Sequence, residues 1–242
     1  KVLAFFAAKR RKTINIPKPH QLQTWNTDIL VQYIRKHWLQ NNILPIETLQ
    51  QKTVALLCLA TMARPRSDMG RLQHRDVGFQ YGNDQQLESV TLHFREAKET
   101  QVKSVTLGVI QDKTICPVNT LQDFIEKTKA LRETLPEEHT LFLGYITDTT
   151  KVASIRPNTL AEWIKDIMYK AGVATHFKAH SIRSAASTKA VEKGNTIQNV
   201  KKHANWSLKP TRLKTSTTDQ QPLPLPVHRS PTQFFLRKTL SH

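Results

Sequence analysis

The spacing of the apolar residues changes twice along this chain of 242 residues. It is helical over residues 24–77, alternates with polar residues over 90–107, and is helical again over 118–203. Helical residues three or four apart share a face, whereas alternate residues of a strand share a face. The sequence therefore predicts a mainly α protein with a small antiparallel sheet inserted early, that is, an α+β fold.

Caps and helix breakers place the individual helices. The first is predicted to begin at Thr24 as N-cap. The second opens at Pro45 and Glu47, is apolar nearly all round and so should be the buried central helix, and Pro65 stops or kinks it. Gly172 and Gly194 are predicted to end later helices. The other predicted helices span 68–77, 118–131, 157–171, 181–193 and 196–203.

Two alternating runs predict a β-hairpin. One covers 90–94 and the other 102–107, and the polar segment 95–100 between them is predicted to be the hairpin loop, which carries Lys98. Gly78 and Gly82 are predicted to form turns before this sheet.

The charge of the chain favours a polyanionic partner. There are 36 Lys+Arg against 19 Asp+Glu, a formal net charge of +17. Nucleic acid is the first candidate and an anionic membrane surface the second. Residues 207–242 hold six Lys+Arg and one Asp, which leaves +12 on residues 1–206. No apolar run reaches the roughly 18 residues of a membrane-spanning helix, so none is predicted.

Composition also predicts three parts in the chain. Residues 1–21 are basic and contain prolines, which predicts a linker or the remnant of an N-terminal DNA-binding segment. Residues 22–206 are predicted to form the folded domain. Residues 207–242 hold five of the twelve prolines and no glycine, which predicts a disordered tail. The chain begins with Lys1 and not Met, so we expect a fragment or a conceptual translation.

The two cysteines, Cys58 and Cys116, cannot by themselves make a disulfide scaffold or a Cys-based zinc site. Both lie among apolar residues, which predicts buried thiols in a reducing compartment.

A pair of phosphate-binding side chains is predicted at His180 and Arg183. Residues i and i+3 share a helix face, and an imidazole beside a guanidinium can hold one phosphate. The pair alone is a weak signal. Other basic residues add to it: Arg64 and Arg66 after the central helix, Lys98 in the hairpin loop, and Lys201, Lys202 and His203 near Trp206. Each has an ordinary interpretation as a solvated or capping side chain, but their order is improbable by chance.

In this order the motifs resemble the tyrosine recombinase (phage integrase-like) superfamily over roughly residues 22–206. They are especially similar to the Crypton- and DIRS-like recombinases of fungal mobile elements. In that family an Arg follows the central helix, and a hairpin Lys, an H-x-x-R motif, a His or Trp and a nucleophilic Tyr come after it. The resemblance implies the tyrosine recombinase catalytic-domain fold. It assigns these roles to Arg64 (or Arg66), Lys98, His180, Arg183 and His203 (or Trp206).

The chemistry that the resemblance implies is DNA phosphoryl transfer without a metal or another cofactor. A Tyr hydroxyl attacks a phosphodiester and forms a 3′-phosphotyrosine link, which is later rejoined. The arginines and His180 neutralise charge on the phosphate oxygens, Lys98 protonates the leaving 5′ oxygen, and a His serves as acid and base. The implied partner is double-stranded DNA, with self-assembly on it, no membrane, and a nuclear location.

DNA contacts outside this site are also expected. The candidates are Lys9, Arg10, Arg11, Lys12, Lys201 and Lys202. For the first four residues, a solvated tail or a nuclear-import signal is the alternative.

The expected nucleophile has no counterpart in this sequence. The four tyrosines, Tyr33, Tyr81, Tyr145 and Tyr169, all precede His180. Related proteins commonly carry T-F-E-x-F-Y-Y after the Trp, and the loss of one A from the Asn codon of N-T-F-E-N-F-Y-Y reproduces all eight residues of Thr211–Thr218. We hypothesise a frameshift at 209–211, so that the Tyr would have stood at Thr217 or Thr218. A diverged disordered tail is the alternative.

We therefore predict a recombinase domain of a mobile element that cannot cleave DNA in this copy. Two other interpretations stay open: a non-catalytic DNA-binding module that keeps the recombinase fold, and an unrelated basic helical protein that binds RNA.

Overall fold

The structure is a computed structural model that describes residues 24–95 and 103–204. Within these ranges it has seven α-helices, two 3₁₀ turns and five strands. The helices are α1 (Asp28–His37), α2 (Ile46–Thr61), α3 (Pro117–Lys127), α4 (Lys129–Arg132), α5 (Pro157–Lys170), α6 (Ser181–Glu192) and α7 (Ile197–His203). The 3₁₀ turns are Met69–Arg71 and His74–Asp76. The strands are β1 (Val77–Tyr81), β2 (Leu87–Phe94), β3 (Lys103–Gly108), β4 (Leu143–Gly144) and β5 (Ala153–Ser154).

The helix α2 is the central helix, as its composition predicts. It is buried on nearly every face and packs against α3, α5 and α6. Each of its fully buried leucines contributes about 1.5–3 kcal/mol relative to an exposed position. The predicted mainly α fold is confirmed, with α2 as the element around which the other helices are arranged.

The predicted hairpin is confirmed as part of a three-stranded antiparallel sheet with the order β1-β2-β3. Phe94 pairs with Lys103, so residues 95–102 connect β2 to β3. The prediction of a turn at Gly78 is wrong, because Gly78 lies inside β1 opposite Thr91. Apart from its two chain neighbours, no atom lies within 4 Å of the position that a Cβ on Gly78 would take, so the packing does not require glycine there. The short pair β4-β5 was not predicted.

The predicted helix start at Thr24 is wrong. The helix α1 begins at Asp28, with Thr27 as N-cap. The segment before α1 contacts the start of α6, because the buried Trp25 donates its indole N–H to the Ser181 hydroxyl at 2.9 Å. Periodicity along the sequence does not detect that contact.

The predicted helix over 68–77 is also wrong, since two short 3₁₀ turns and the start of β1 replace it. A close approach at Gly70 explains part of this. A Cβ on Gly70 would lie 2.8 Å from the Pro157 Cα and 3.3 Å from the Pro65 carbonyl oxygen. The turn therefore packs closely against the beginning of α5, and only glycine fits at position 70.

The other predicted helix ends are confirmed in part. Gly172 and Gly194 follow α5 and α6 with φ of 95° and 89°, so both predicted terminators are confirmed. The predicted single helix over 118–131 is interrupted at Thr128, where ψ is 5°. The Thr128 hydroxyl donates to the Phe124 carbonyl at 2.8 Å and accepts from Arg132 Nε at 3.0 Å. The side chain therefore competes with the helical hydrogen bonds.

The connection between α1 and α2 is held by a buried lysine. Lys52 is fully buried, and its Nζ donates to the Trp38 carbonyl at 2.6 Å and to Asn41 Oδ1 at 2.7 Å. Burial lowers the pKa of Lys52 to about 8. Sequence reasoning placed this residue on an apolar helix without a role, because its acceptors come from the preceding loop.

Both cysteines are buried free thiols, as predicted. Burial raises the pKa of each thiol, so neither is activated as a nucleophile. In the part of the chain that the structure describes, no helix is long and apolar enough to cross a membrane. The same residues contain no group of three or more His, Cys, Asp or Glu placed to hold a metal ion.

Acid should destabilise this domain through His74. Its ring stacks on the His139 ring with centroids 5.1 Å apart. Burial, helped by Arg132 and His139, lowers the pKa of His74 to about 4 from an ordinary value of 6.5. Between these values the unfolded chain binds a proton that the folded chain does not, so stability is full above the unfolded pKa and is lost as the pH falls toward about 4.

Urea unfolding at about pH 7 and about pH 4.5 measures this effect. His74→Phe keeps a stacked ring without a titrating group, so it should lose less stability on acidification than the natural chain loses. His176→Phe, at an exposed histidine, is the matched control and should leave the loss unchanged. An acid loss equal in the natural chain and in His74→Phe would contradict the assignment.

Candidate functional site

The site is built on the C-terminal end of α2, where the chain leaves the helix through a left-handed residue. Met62 is fully buried, with φ 54° and ψ 27°. For a non-glycine residue this conformation costs about 1–2 kcal/mol. After it, the Arg64 N–H donates to Asp68 Oδ2 at 2.8 Å and the Asp68 N–H donates to the Arg64 carbonyl at 3.0 Å. The segment 64–68 is therefore a closed turn that presents its side chains beside the helix end.

Asp68 joins two of the predicted site residues. One of its carboxylate oxygens lies 3.6 Å from Arg64 Nη1, and the other lies 3.8 Å from Arg183 Nη1. The Ser67 hydroxyl also donates to this carboxylate at 2.8 Å. Asp68 therefore contacts both guanidinium groups, although Arg64 and Arg183 are far apart in the sequence.

Arg183 is almost entirely buried, with 8% of the residue exposed. Its Nη1 donates to the Met62 carbonyl at 2.6 Å and its Nη2 to the Ala204 carbonyl at 2.7 Å. The side chain therefore reaches from α6 to the ends of α2 and α7. A guanidinium has its N–H groups in one plane, so these two hydrogen bonds, one from each terminal nitrogen, fix the orientation of that plane.

His180 lies on the same helix turn but in a different environment. It is the N-cap of α6 and is exposed, and its side chain makes no capping hydrogen bond. The structure thus places the predicted His180 and Arg183 pair with the imidazole toward solvent and the guanidinium in the protein. An exposed imidazole at the start of the helix that carries the buried guanidinium can approach an anion from the solvent side.

His203 also contacts the end of α2. Its Nε2 donates to the Ala60 carbonyl at 2.7 Å. Burial lowers the pKa of His203, which keeps the ring neutral near pH 7. In that tautomer Nε2 carries the proton and Nδ1 is an acceptor. On the same helix, Lys201 is half-buried and Lys202 is exposed.

The two candidate first arginines occupy different positions. Arg64 is partly buried beside Asp68, whereas Arg66 is exposed. Among the described residues, Arg66 makes no ion pair with Asp68 such as Arg64 makes. The structure therefore brings together Arg64, Arg183 and His203 around the end of α2, with His180 at the adjoining helix start.

Several predicted residues lie outside the described residues. These are Lys98, Trp206, Lys9, Arg10, Arg11 and Lys12. The hypothesised frameshift and the predicted tail lie outside them as well. Arg95 directly follows β2, at the start of the connection that contains Lys98. Its Nε donates to the two carboxylate oxygens of the buried Asp76 at 2.6 and 2.7 Å, and its Nη2 lies 2.6 Å from Asp76 Oδ1. This hydrogen-bonded pair raises the pKa of Arg95 and ties the start of the connection to the 3₁₀ turn before β1.

A depression adjoins Asp68 on its sheet side. Its lining carries three cationic side chains and one carboxylate above two buried apolar residues. The lining residues are Ser67, Asp68, Arg71, Leu72, Phe94, Arg95 and Lys103. It extends the cationic surface from the end of α2 toward the β2–β3 connection.

Sequence reasoning missed the residues that arrange this site. Nothing in the sequence pattern showed that Asp68 contacts two arginines or that Asp76 pairs with Arg95. Met62 gave no signal at all, because a methionine at a helix end is ordinary and its φ is a property of the fold.

Comparison with known proteins gives a family and a fold. The sequence pattern of the phage integrase family matches residues 39–212, which is most of the chain. No curated protein matched the sequence.

Solved structures resemble this one at low sequence identity. XerH site-specific recombinase bound to difH substrate, in a pre-cleavage complex, has 15% identity and a TM-score of 0.53, over 75% of this chain and 46% of that chain. XerH bound to palindromic difH, in a post-cleavage complex, has 15% identity and a TM-score of 0.55, over 76% and 46%. XerA recombinase has 16% identity and a TM-score of 0.53, over 80% and 60%.

The chain therefore spans between about half and three fifths of the length of these recombinases. At such identities the likeness concerns the fold, while the family pattern extends over well over half of the chain. The order of elements in this chain also agrees with that of the family: a central helix, an inserted antiparallel sheet and then the H-x-x-R helix. The chain accordingly belongs to the phage integrase family, and its α+β domain has the tyrosine recombinase catalytic fold.

Proposed function

We propose that this chain is a DNA-binding, site-specific recombinase domain of a mobile element, related to the Crypton- and DIRS-like recombinases. One observation carries the proposal: Asp68 contacts the guanidinium groups of both Arg64 and Arg183 at the end of α2. We propose that both guanidiniums bind the non-bridging oxygens of one phosphodiester, because each can donate in a planar fork.

Double-stranded DNA is the proposed partner. The XerH structures that resemble this chain hold a difH substrate before and after cleavage. Here, residues 1–206 carry a net charge of +12. Such a charge favours a polyanionic partner over a neutral ligand. We propose that this DNA is also the surface on which copies of the chain assemble, and that the chain acts in the nucleus.

In the proposed mechanism the protein groups supply all the charge stabilisation that the phosphate needs. A tyrosine oxygen attacks phosphorus, the bond from phosphorus to the 5′ oxygen breaks, and that oxygen takes a proton from Lys98. Arg64, Arg183 and His180 stabilise the negative charge on the non-bridging oxygens. We propose that His203, neutral and with Nδ1 as an acceptor, takes the proton of the attacking hydroxyl. We propose no metal or small-molecule cofactor.

The attacking tyrosine is the group that this sequence does not provide after His180. We propose that the chain binds DNA but does not cleave it, and that a frameshift at 209–211 removed the tyrosine. A second function is supported by the same feature. A chain with the phosphate-binding groups and no nucleophile would serve as a non-catalytic DNA-binding module.

The role of Arg64 can be tested by DNA binding. Each phosphate contact that a protein makes steepens the dependence of affinity on salt, and losing one contact reduces that slope by about one. Arg64→Ala should show this reduction on a double-stranded DNA, measured by fluorescence anisotropy over a range of salt concentrations. Arg66→Ala is the matched control, two residues away and exposed, and should change the slope less.

The outcomes separate the claims. A natural chain whose DNA affinity does not depend on salt would refute the proposed DNA partner. A slope that falls in Arg66→Ala but not in Arg64→Ala would make Arg66 the first catalytic arginine instead.

A further inference from the structure

The segment before α1 lies against the helix that carries the H-x-x-R motif. Trp25 is buried, with 7% of the residue exposed, and its indole N–H donates to the Ser181 hydroxyl at 2.9 Å. About two turns further along α6, Lys189 Nζ donates to Asp28 Oδ2 at 2.6 Å and to Asn26 Oδ1 at 3.2 Å. The segment is therefore joined to the first and the last turn of α6. The proposed mechanism assigns no role to these contacts.

The first turn of α6 is held weakly by its own hydrogen bonds. Its N-cap, His180, makes no capping hydrogen bond with its side chain. The N–H groups of residues 181–183 donate three positions back, at 2.8, 3.3 and 3.2 Å, which is the 3₁₀ pattern with its poorer geometry. Helix ends of this kind fray unless another part of the fold holds them. The Trp25 indole supplies such a contact at Ser181.

The same turn decides where the His180 imidazole lies. His180 is exposed and directly precedes the Ser181 that Trp25 holds. A side chain that contacts a ligand must be held within about 0.5 Å of its productive position. Fraying of the turn would leave the imidazole chemically unchanged but would remove it from that position for part of the time.

We propose that Trp25 is a positioning residue, whose indole N–H fixes Ser181 and the first turn of α6 and thereby sets the His180 imidazole against a DNA phosphate. The inference rests on the proposed function, because it assumes that His180 contacts DNA. It adds to the site an aromatic residue 156 positions from Ser181 in the sequence, outside the pattern of basic residues by which the site was recognised.

The substitution Trp25→Phe tests this role, because it keeps a buried aromatic ring and removes the N–H. The measurement is the dissociation constant for a double-stranded DNA at fixed salt, by fluorescence anisotropy. His180→Ala should weaken binding by about tenfold, since a hydrogen bond to a charged group is lost. Trp25→Phe should weaken it by about threefold or more, since affinity falls with the fraction of chains in which the imidazole is in place.

The double variant gives the readout that a merely structural role would not produce. If Trp25 acts through His180, Trp25→Phe should have no further effect in a chain that already carries His180→Ala. A merely structural role would weaken binding by the same factor in both backgrounds. Asp28→Ala is the matched control, since it breaks the ion pair of the same segment with Lys189 in the last turn of α6. It should lower the urea midpoint and leave the DNA affinity unchanged.

The results separate the positioning role from the proposed function. A natural affinity in Trp25→Phe together with a weakened one in His180→Ala would overturn the positioning role and keep the proposed function. Equal losses in both backgrounds, or a loss in Asp28→Ala as large as in Trp25→Phe, would do the same. If Trp25→Phe does not fold, Ser181→Ala removes the same hydrogen bond and decides by the same comparison.

Two further results concern both claims. A natural affinity in His180→Ala would refute the phosphate contact of His180 and the positioning role together, while salt-dependent binding by the natural chain would still support the DNA partner. A natural chain that does not bind DNA would refute the proposed function and, with it, the positioning role.

Discussion

A chain whose residues 211–218 are changed to Asn-Thr-Phe-Glu-Asn-Phe-Tyr-Tyr should form a covalent link to DNA, whereas the present chain should form none. The expected change is from no detectable adduct to a band that survives denaturation. The substitutions are Thr211→Asn, Arg212→Thr, Leu213→Phe, Lys214→Glu, Thr215→Asn, Ser216→Phe, Thr217→Tyr and Thr218→Tyr. A nicked suicide duplex, on which the cut strand diffuses away and the link accumulates, is the substrate that checks it.

The physical reason is that the restored segment supplies the missing reactant. Arg64 and Arg183 already meet at Asp68, so under the proposed function a phosphate bound at this site lacks only a nucleophile in line with the 5′ oxygen. Positioning of this kind accounts for a large part of enzymatic rate enhancement. A tyrosine added to an assembled phosphate site should therefore be sufficient for one round of cleavage.

Controls identify the attacking oxygen. Thr217→Phe and Thr218→Phe in the otherwise restored segment keep the aromatic rings and remove the hydroxyls, so they should give no adduct. Single Tyr variants at 217 and 218 show which position attacks. The hypothesis is wrong if the restored chain binds DNA and yields no adduct, and sequencing the gene around 209–211 tests the frameshift directly.

Removing the Arg183 side chain should be the most destabilising single change at this site. Arg183→Ala removes the Arg183 donors from the Met62 and Ala204 carbonyls and one of the two arginines that contact Asp68. Breaking a buried charged network costs about 3–5 kcal/mol, which is a large share of the roughly 5–15 kcal/mol that holds a domain together. We expect the urea midpoint to fall accordingly.

Two variants define what is lost. Arg183→Lys keeps the charge but replaces a planar fork by one ammonium, so it should recover part of the stability and little of the DNA contact. Arg66→Ala, at an exposed arginine in the neighbouring turn, should change the free energy of unfolding by less than about 0.5 kcal/mol. An Arg183→Ala chain as stable as Arg66→Ala would show that the hydrogen bonds of Arg183 contribute nothing to the fold.

Local pattern was sufficient for much of the fold. The buried face of α2 and the alternation of β2 and β3 are properties of neighbouring residues, and Gly172 and Gly194 end helices by their own backbone freedom. Prediction failed where a distant contact decided the backbone. The helix α1 begins later than predicted, and the segment before it contains the Trp25 contact with Ser181. Two short turns stand where a helix was predicted, and there Gly70 closely approaches Pro157.

The site divides in the same way. The order of Arg64, His180, Arg183 and His203 is visible in the letters, and with the resemblance it was enough to expect a phosphate-binding site. The choice between Arg64 and Arg66 was not, because both arginines flank Pro65 at the same helix end. In the structure their surroundings differ, since Arg64 shares Asp68 with Arg183 whereas Arg66 is exposed.

By itself, then, the sequence determined the classes of element, the burial of α2, the basic character of the chain and the residue types of its site. The tertiary structure alone decided how these residues meet. Arg183 donates to the Met62 carbonyl, 121 positions away in the sequence, and His203 donates to the Ala60 carbonyl, 143 positions away. Periodicity reports only what residues a few positions apart share, whereas these hydrogen bonds depend on how α6 and α7 pack against the end of α2.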